Sequence, residues 1–142
     1  MKREEQDWDN EMEKVNSIRE NLPKLLWNSA GISRSQAILE DGISQLNIWR
    51  SQLTDLNIMG YLLKAKPNQT VQLNSDRAEQ NLKLAAETLN LTDVAYLILK
   101  SAAWRTESRG GHYRSDYPQT SADWQLHTLI QGDYIKSGEL VI

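Results

Sequence analysis

Apolar residues recur at helical spacing over three long stretches of the sequence, and this periodicity constrains the fold more than any other feature. Residues three, four and seven positions apart share one face of an α-helix, so each stretch presents an apolar stripe. We predict helices over about residues 7–28, 33–58 and 76–109. The stripes comprise Met12, Val15, Ile18, Leu22, Leu25 and Leu26; Leu39, Gly42, Ile43, Leu46, Trp49, Leu53 and Leu56; and Leu82, Ala85, Ala86, Leu89, Val94, Ile98 and Ala102.

Local signals predict where these helices begin. Residues 33–36, Ser-Arg-Ser-Gln, match a capping box, in which the first serine caps the helix and the glutamine bonds back to it. Ser75 and Asp76 open the third helix, and Asp76 and Glu79 stand at capping-box spacing. Gly42 lies on an apolar stripe, which predicts a close approach of two helices at that point.

Other residues predict where the helices end or bend. Pro23 should kink or split the first helix, because proline lacks the amide that an interior helical residue donates. Gly60 is a plausible C-cap for the second helix, and Gly110-Gly111 would stop the third. The apolar stripe slips in phase over residues 90–93, which allows a break or bend there.

Three helices joined by short or moderate links predict an all-α fold, an antiparallel three-helix bundle of the spectrin-repeat-like, up-down-up kind. Residues 61–74 form a connector in this prediction. Beyond Pro118, residues 124–130 alternate in a way typical of a short strand. We therefore expect a bundle over 1–118 and an irregular or strand-like tail over 119–142. The tail should pack on the bundle or on a partner, since a lone strand is unstable in water.

Composition narrows the possible functions. The 142 residues suffice for one domain with a core, and the net charge of −3 argues against general nucleic-acid binding. The chain contains no cysteine, so disulfides and thiolate chemistry are excluded. The start of the chain has no apolar run typical of a signal peptide or a membrane span. These observations favour a cytoplasmic protein.

Charged and aromatic residues crowd into residues 105–118, which we call the cationic segment. A solvated helix end, a surface that docks on a partner domain, and an arginine site for a carboxylate or phosphate all fit this composition. Two histidines without metal-ligand spacing predict no metal site, and no Gly-x-Gly-x-x-Gly dinucleotide fingerprint or catalytic triad is recognisable. The docking candidates are Arg105, Glu107, Arg109, His112, Tyr113 and Arg114.

Three segments resemble one flavoprotein family. Residues 105–113, Arg-Thr-Glu-Ser-Arg-Gly-Gly-His-Tyr, followed by Asp-Tyr-Pro at 116–118, are similar to the C-terminal signature of the L-aspartate oxidase, succinate dehydrogenase and fumarate reductase flavoproteins. Residues 25–32, with Trp27, Gly31 and Ile32, resemble the end of the family's first C-terminal helix. Trp124, His127 and Thr128 match its Trp-x-x-His-Thr. The His-Tyr pair favours the L-aspartate oxidase branch, although Gly111 departs from the family pattern.

The resemblance implies a role as part of a larger enzyme. In this family an FAD domain and a capping domain precede a C-terminal helical bundle and carry the catalytic residues, so no catalytic or cofactor-binding residue is carried over here. The parent would use FAD to oxidise L-aspartate to iminoaspartate, which feeds NAD synthesis, and the isolated chain would be inactive. Its partners would be the flavin and capping domains of the same polypeptide, and the isolated domain could self-associate.

Two alternatives remain open. One is the equivalent domain of a succinate dehydrogenase or fumarate reductase flavoprotein, with an iron–sulfur subunit among its partners. The other is a stand-alone helical interaction module that has kept the fold without the enzyme.

Overall fold

A computed structural model describes residues 8–138 of the chain. Within this range the chain is mainly helical and ends in a short antiparallel hairpin, which confirms the predicted class with its strand-like tail. The number of helices differs from the prediction, since the described residues form four α-helices instead of three. The elements are α1 (Asp9–Ala30), α2 (Gln36–Thr54), α3 (Asn57–Leu63), α4 (Asp76–Trp104), a 3₁₀ turn (Ala122–Trp124), β1 (His127–Gln131) and β2 (Tyr134–Gly138).

Serine side chains cap the starts of α2 and α4. Ser35, not Ser33, caps α2, where its Oγ accepts a hydrogen bond from the Ile38 amide at 3.5 Å. The helix thus begins two residues later than the capping-box prediction. Ser75 opens α4 as predicted, and its Oγ accepts from the Ala78 amide at 3.1 Å.

The short helix α3 corrects the predicted end of the second helix. Leu56 turns the chain out of helical geometry, and the Glu11 carboxylate of α1 then accepts from the amides of Asn57 and Ile58 at 2.8 and 2.9 Å. A carboxylate at a helix N-terminus satisfies orphan amides and suits the dipole. Gly60 lies inside α3, so its assignment as a C-cap is wrong.

Both long helices continue through the residues predicted to interrupt them. Pro23 lies inside α1, which is one continuous element of 22 residues. The helix α4 likewise runs unbroken through residues 90–93, where the Thr92 hydroxyl donates to the Leu89 carbonyl at 2.7 Å. The predicted splits are therefore absent from the described part of the chain.

The end of α4 is the largest correction to the predicted boundaries. The helix stops at Trp104, five residues before the predicted end at Arg109, because Arg105 adopts an extended conformation. The glycine pair does not cap a helix. Gly110 has a φ of 56°, which glycine adopts without steric cost, and it turns the chain so that Arg109 and His112 exchange both backbone hydrogen bonds.

Two apolar clusters form the core and show how the helices run. One joins the beginning of α1 to the end of α2, to α3 and to the beginning of α4. The other joins the end of α1, through Leu22, to Leu39 near the start of α2 and Leu99 near the end of α4. This order places α1 and α4 in the same direction with α2 opposed. It supports the up-down-up arrangement, although the three-helix bundle itself stays a prediction.

Gly42 marks a close approach of the helices, as predicted. A Cβ at this position would lie 2.9 Å from Leu99 Cδ1 and closer still to Ser29 Oγ. Three helices therefore meet at one small residue, and the end of the helical unit that carries the cationic segment is tightly packed.

The tail is a hairpin, because β1 pairs antiparallel with β2 and Ile130 stands opposite Ile135. Ile135 shares an open groove of about 460 Å³ with side chains of α2 and α4, among them Ile43 and Trp104. The division into a helical unit over 1–118 and a tail over 119–142 stays a prediction.

Candidate functional site

Glu107 is a buried carboxylate held between two arginines. Its side chain is fully buried, and its Oε1 accepts from Arg105 Nε and Arg109 Nε, each at 2.9 Å. The Ser121 amide donates to Oε2 at 2.8 Å. The Arg109 hydrogen bond is the main cause that lowers the pKa of Glu107 from 4.5 to about 2, with smaller help from Ser121 and Arg105 and against the cost of burial. Glu107 therefore stays ionised throughout the neutral range.

Arg114 is the second buried charge, and it closes the end of α4. Its guanidinium is fully buried and donates through Nη1 to the carbonyls of Ala102 and Ala103 at 2.9 and 3.2 Å. These carbonyls belong to the last turn of the helix, whose negative dipole end a cation stabilises. Nε and Nη2 of Arg114 also donate to both oxygens of Asp116, at 2.8 and 2.7 Å, and this holds the pKa of that carboxyl well below its ordinary value.

His112 joins the cationic segment to the connection between α1 and α2. Arg34 Nη1 lies 2.8 Å from His112 Nδ1, and His112 Nε2 lies 3.0 Å from the Arg105 carbonyl. Because arginine can only donate, Nδ1 accepts and Nε2 carries the proton, so the imidazole is neutral. Burial is the largest cause that lowers the pKa of His112, and the charges of Arg34, Arg114 and Arg105 add to it.

Backbone hydrogen bonds reinforce this connection. The Arg34 amide donates to the Tyr113 carbonyl at 3.1 Å, and the Ser115 amide donates to the Arg34 carbonyl at 2.8 Å. The Gln36 amide at the start of α2 donates to Asp116 Oδ2 at 2.9 Å. The cationic segment is thus tied to the end of α1, the start of α2 and the end of α4.

The six predicted site residues have different surroundings. Glu107 and Arg114 are buried, Arg105 and His112 are partly buried, and only Arg109 and Tyr113 reach solvent substantially. The segment is therefore not a solvated helix end, because α4 stops before it and its charges pair with each other. The guanidinium hydrogen bonds of the three arginines go to protein oxygens, which disfavours the anion-site interpretation.

Four further residues complete the network but were missed in the sequence. Arg34 and Gln36 sit in the segment interpreted as a helix start, and Asp116 lies in the Asp-Tyr-Pro that follows the signature. Ser108 Oγ accepts from the Arg114 amide at 2.9 Å and donates to the Tyr117 carbonyl at 2.8 Å. Asp116 and Ser108 have partners nearby in the sequence, whereas Arg34 and Gln36 contact residues 78 or 80 positions away and therefore left no local signal.

The described residues contain no cluster of side chains suited to a metal ion. Within residues 8–138 there is no group of three or more histidine, aspartate or glutamate side chains that could hold a metal, and no helix long and apolar enough to cross a membrane. The arginine forks of the network are already occupied by Glu107 and Asp116.

The chain belongs to the C-terminal region of the succinate dehydrogenase and fumarate reductase flavoproteins, since the model of that family covers most of it. The family model described as "Fumarate reductase flavoprotein C-term" matches residues 19–140. This region is a part of larger flavoproteins.

Individual relatives identify the members that resemble this chain. It is 47% identical over 125 residues to the L-aspartate oxidase of Nostoc sp. and 41% identical over 126 residues to that of Synechocystis sp.. The succinate dehydrogenase flavoprotein subunit of Rickettsia felis is 33% identical over 129 residues. These matches cover 88%, 89% and 90% of this chain but only 22%, 23% and 19% of the relatives. The chain thus spans about a fifth of the length of the curated relatives it matches.

Proposed function

We propose that this chain is the C-terminal helical domain of an FAD-dependent L-aspartate oxidase. The parent would oxidise L-aspartate to iminoaspartate in the cytoplasm, as the first step of de novo NAD biosynthesis. The observation that carries this proposal is the identity of 47% and 41% to two L-aspartate oxidases, against 33% to a succinate dehydrogenase subunit over a similar length.

In this proposal the chain supports the flavin domain and has no catalytic activity alone. Its most polar segment uses its charges to hold α2, α4 and the α1–α2 connection together, which is a structural task. FAD would supply the oxidation chemistry from the preceding domains. This chain would contribute a rigid end of its helical unit, which is built around Glu107 and Arg114. That end would present Tyr113 and Arg109 to a neighbouring domain.

A complementation assay tests the proposal. The Nostoc relative is expressed without its matching segment, this chain is added, and reduction of the bound flavin by L-aspartate and by succinate is followed. We expect the chain to raise the rate with L-aspartate and not with succinate, and the chain alone to give no reduction with added FAD. A rate unchanged by the chain, with no binding between the two pieces, would contradict the proposal.

The dehydrogenase branch remains the second candidate, because the Rickettsia felis subunit matches 90% of this chain. The equivalent assay with that subunit distinguishes the branches. Recovery of succinate oxidation there, without recovery of L-aspartate oxidation in the Nostoc enzyme, would move the assignment to a succinate dehydrogenase or fumarate reductase. If this chain bound neither the shortened Nostoc enzyme nor the shortened Rickettsia felis subunit, a stand-alone interaction module would be favoured.

A further inference from the structure

An exposed apolar strip follows one ion pair along the neighbouring helices α1 and α4. Its starting point is the ion pair between Arg19 Nη2 and Glu87 Oε2, at 3.2 Å, which joins the two helices. Because α1 and α4 run in the same direction, the residues that follow this pair advance together along the two helices. We call these residues the apolar strip; its members are Pro23, Trp27, Leu91, Val94 and Ile98.

Helical spacing puts the members on one side of their helices. Pro23 and Trp27 lie four and eight residues beyond Arg19 on α1. Leu91, Val94 and Ile98 lie four, seven and eleven residues beyond Glu87 on α4. This spacing keeps them on the same face of the helix as Glu87. At a rise of 1.5 Å per residue, the strip extends about 16 Å beyond the ion pair.

The members of the strip are exposed although they are large and apolar. The exposed fractions are 68% for Trp27, 54% for Val94, 45% for Ile98 and 44% for Leu91. The hairpin lies elsewhere, since Ile135 contacts the groove between α2 and α4. Exposed apolar residues grouped on one surface mark interaction sites, whereas single scattered ones are ordinary.

The length of the relatives indicates what covers the strip. More than three quarters of each L-aspartate oxidase lies outside the region that this chain matches, since the matches cover 22% and 23% of those proteins. A domain joined to this one by a short flexible linker meets it at an effective concentration of about millimolar order. A second copy would have to reach the strip from free solution, so the tethered domain has the advantage.

The cationic segment is less suited to be the main docking surface. Its carboxylates and arginines already pair with one another, and separating them to meet a partner would leave Glu107 as an unpaired buried charge. Tyr113 remains available at the edge, with 44% of its surface exposed.

We propose that the apolar strip is the main surface by which this chain docks on the preceding, flavin-binding part of its own polypeptide. This inference rests on the proposed function and adds the surface that performs it. The partner surface is mainly apolar, because the members of the strip carry no charge, although the exposed Glu20 and Lys24 flank Trp27 on α1.

Hydroxyl-radical footprinting, which measures the solvent access of side chains, tests this surface. The rates of modification are compared between the dilute isolated chain and a chimera in which this chain replaces the matching segment of the Nostoc relative. We expect severalfold slower modification of Trp27, Leu91 and Ile98 in the chimera. Ile48, which is 51% exposed on α2 and lies outside the strip, is the internal control and should be modified at the same rate in both.

Two matched variants separate docking from folding. Val94→Glu and Ile48→Glu each place a charge at a half-exposed apolar position, so neither should shift the urea midpoint of the isolated chain appreciably. In the chimera, Val94→Glu should restore fast modification of Trp27 and Ile98, whereas Ile48→Glu should leave them protected.

The outcomes distinguish this inference from the function on which it rests. If other surfaces of the chain become protected in the chimera while the strip stays reactive, the chain docks through a different face and the strip proposal is wrong. If no surface becomes protected, the proposed function fails together with the strip. Protection that appears in the isolated chain as its concentration rises would assign the strip to contact between copies.

Discussion

At the scale of single residues, the buried charges of the cationic segment pair with other groups of the same chain. Glu107 and Arg114 are fully buried, and each is paired through well-formed hydrogen bonds. Removing one member of a buried pair is costly because the other is left as an uncompensated charge. Substitutions here should therefore act through stability and rigidity.

The Glu107 carboxylate should contribute strongly to stability at neutral pH. Its pKa is about 2 in the fold and 4.5 ordinarily, so its stabilisation is present above pH 4.5 and is lost as the pH falls towards 2. The difference corresponds to roughly 3 kcal/mol. Glu107→Gln should lower the unfolding free energy at pH 6 by a similar amount and flatten its decline below pH 4.5, as measured by urea denaturation.

The exposed Glu13 of α1 provides the control, since Glu13→Gln removes a carboxylate that is not buried. An equal effect of the two substitutions at pH 6 would show that the Arg105–Glu107–Arg109 contact does not stabilise the fold.

His112 should make stability sensitive to mild acid. The fold favours its neutral form and lowers its pKa below 6.5, so the unfolded chain binds the proton more readily and stability falls as the pH drops below 6.5. Protonation would place a cation against Arg34, Arg105 and Arg114. Thermal midpoints between pH 5.5 and 7.5 should fall with pH in the unmodified chain and change less in His112→Gln.

His127, which is exposed on β1, is the matched control for this substitution. His127→Gln should keep the full pH dependence of the unmodified chain. Loss of the pH dependence in His127→Gln, with its retention in His112→Gln, would contradict the assigned tautomer and contacts of His112.

At the scale of elements, packing between helices decides which local preferences prevail. Proline inside α1 and the phase slip in α4 do not end those helices, since both contribute residues to the two core clusters. The short helix α3 exists because a carboxylate from α1 caps it. The helix α4 ends where Arg114 binds its last carbonyls.

These same contacts explain what the sequence could and could not predict. Local periodicity was enough to place α1, α2, most of α4 and the first strand, and it identified Gly42 as a point of close approach. It missed α3 because the cap, Glu11, lies 46 residues before Asn57. It also missed the link between Arg34 and His112, which are 78 residues apart. Neither of these two long-range contacts leaves a pattern in the residues next to it in the sequence.

Two glycine substitutions test the packing of the elements. Gly42→Ala adds a methyl group that would collide with Ser29 and Leu99, and should destabilise the chain by about 1–3 kcal/mol despite a better helix propensity. Gly60→Ala meets no atom within 4 Å in α3 and should stabilise by up to about 1 kcal/mol. Urea denaturation measures both; equal effects in the same direction would refute the close contact at Gly42.

At the scale of the whole molecule, one residue joins the two apolar clusters. Trp49 is partly buried and packs against both clusters. Trp27, by contrast, is 68% exposed on the apolar strip. The same residue type therefore serves the core at one position and, in our proposal, an interface at the other.

Trp49→Ala should lower the unfolding free energy of the isolated chain by about 3–5 kcal/mol, the range typical of a large core aromatic. Trp27→Ala should leave it nearly unchanged, because little of that side chain is buried. Urea denaturation followed by circular dichroism measures both. A negligible change in Trp49→Ala would place this residue outside the cooperative core.

The most direct test of the central claim is the activity of the chimera that carries this chain in place of the matching segment of the Nostoc relative. The rate of flavin reduction by L-aspartate is compared with that of the relative lacking the segment altogether. We predict that the chimera holds FAD and reduces it with L-aspartate at a rate close to that of the intact relative. A chimera that folds and holds FAD but is no more active than the shortened enzyme would contradict the assignment of this chain as an L-aspartate oxidase domain.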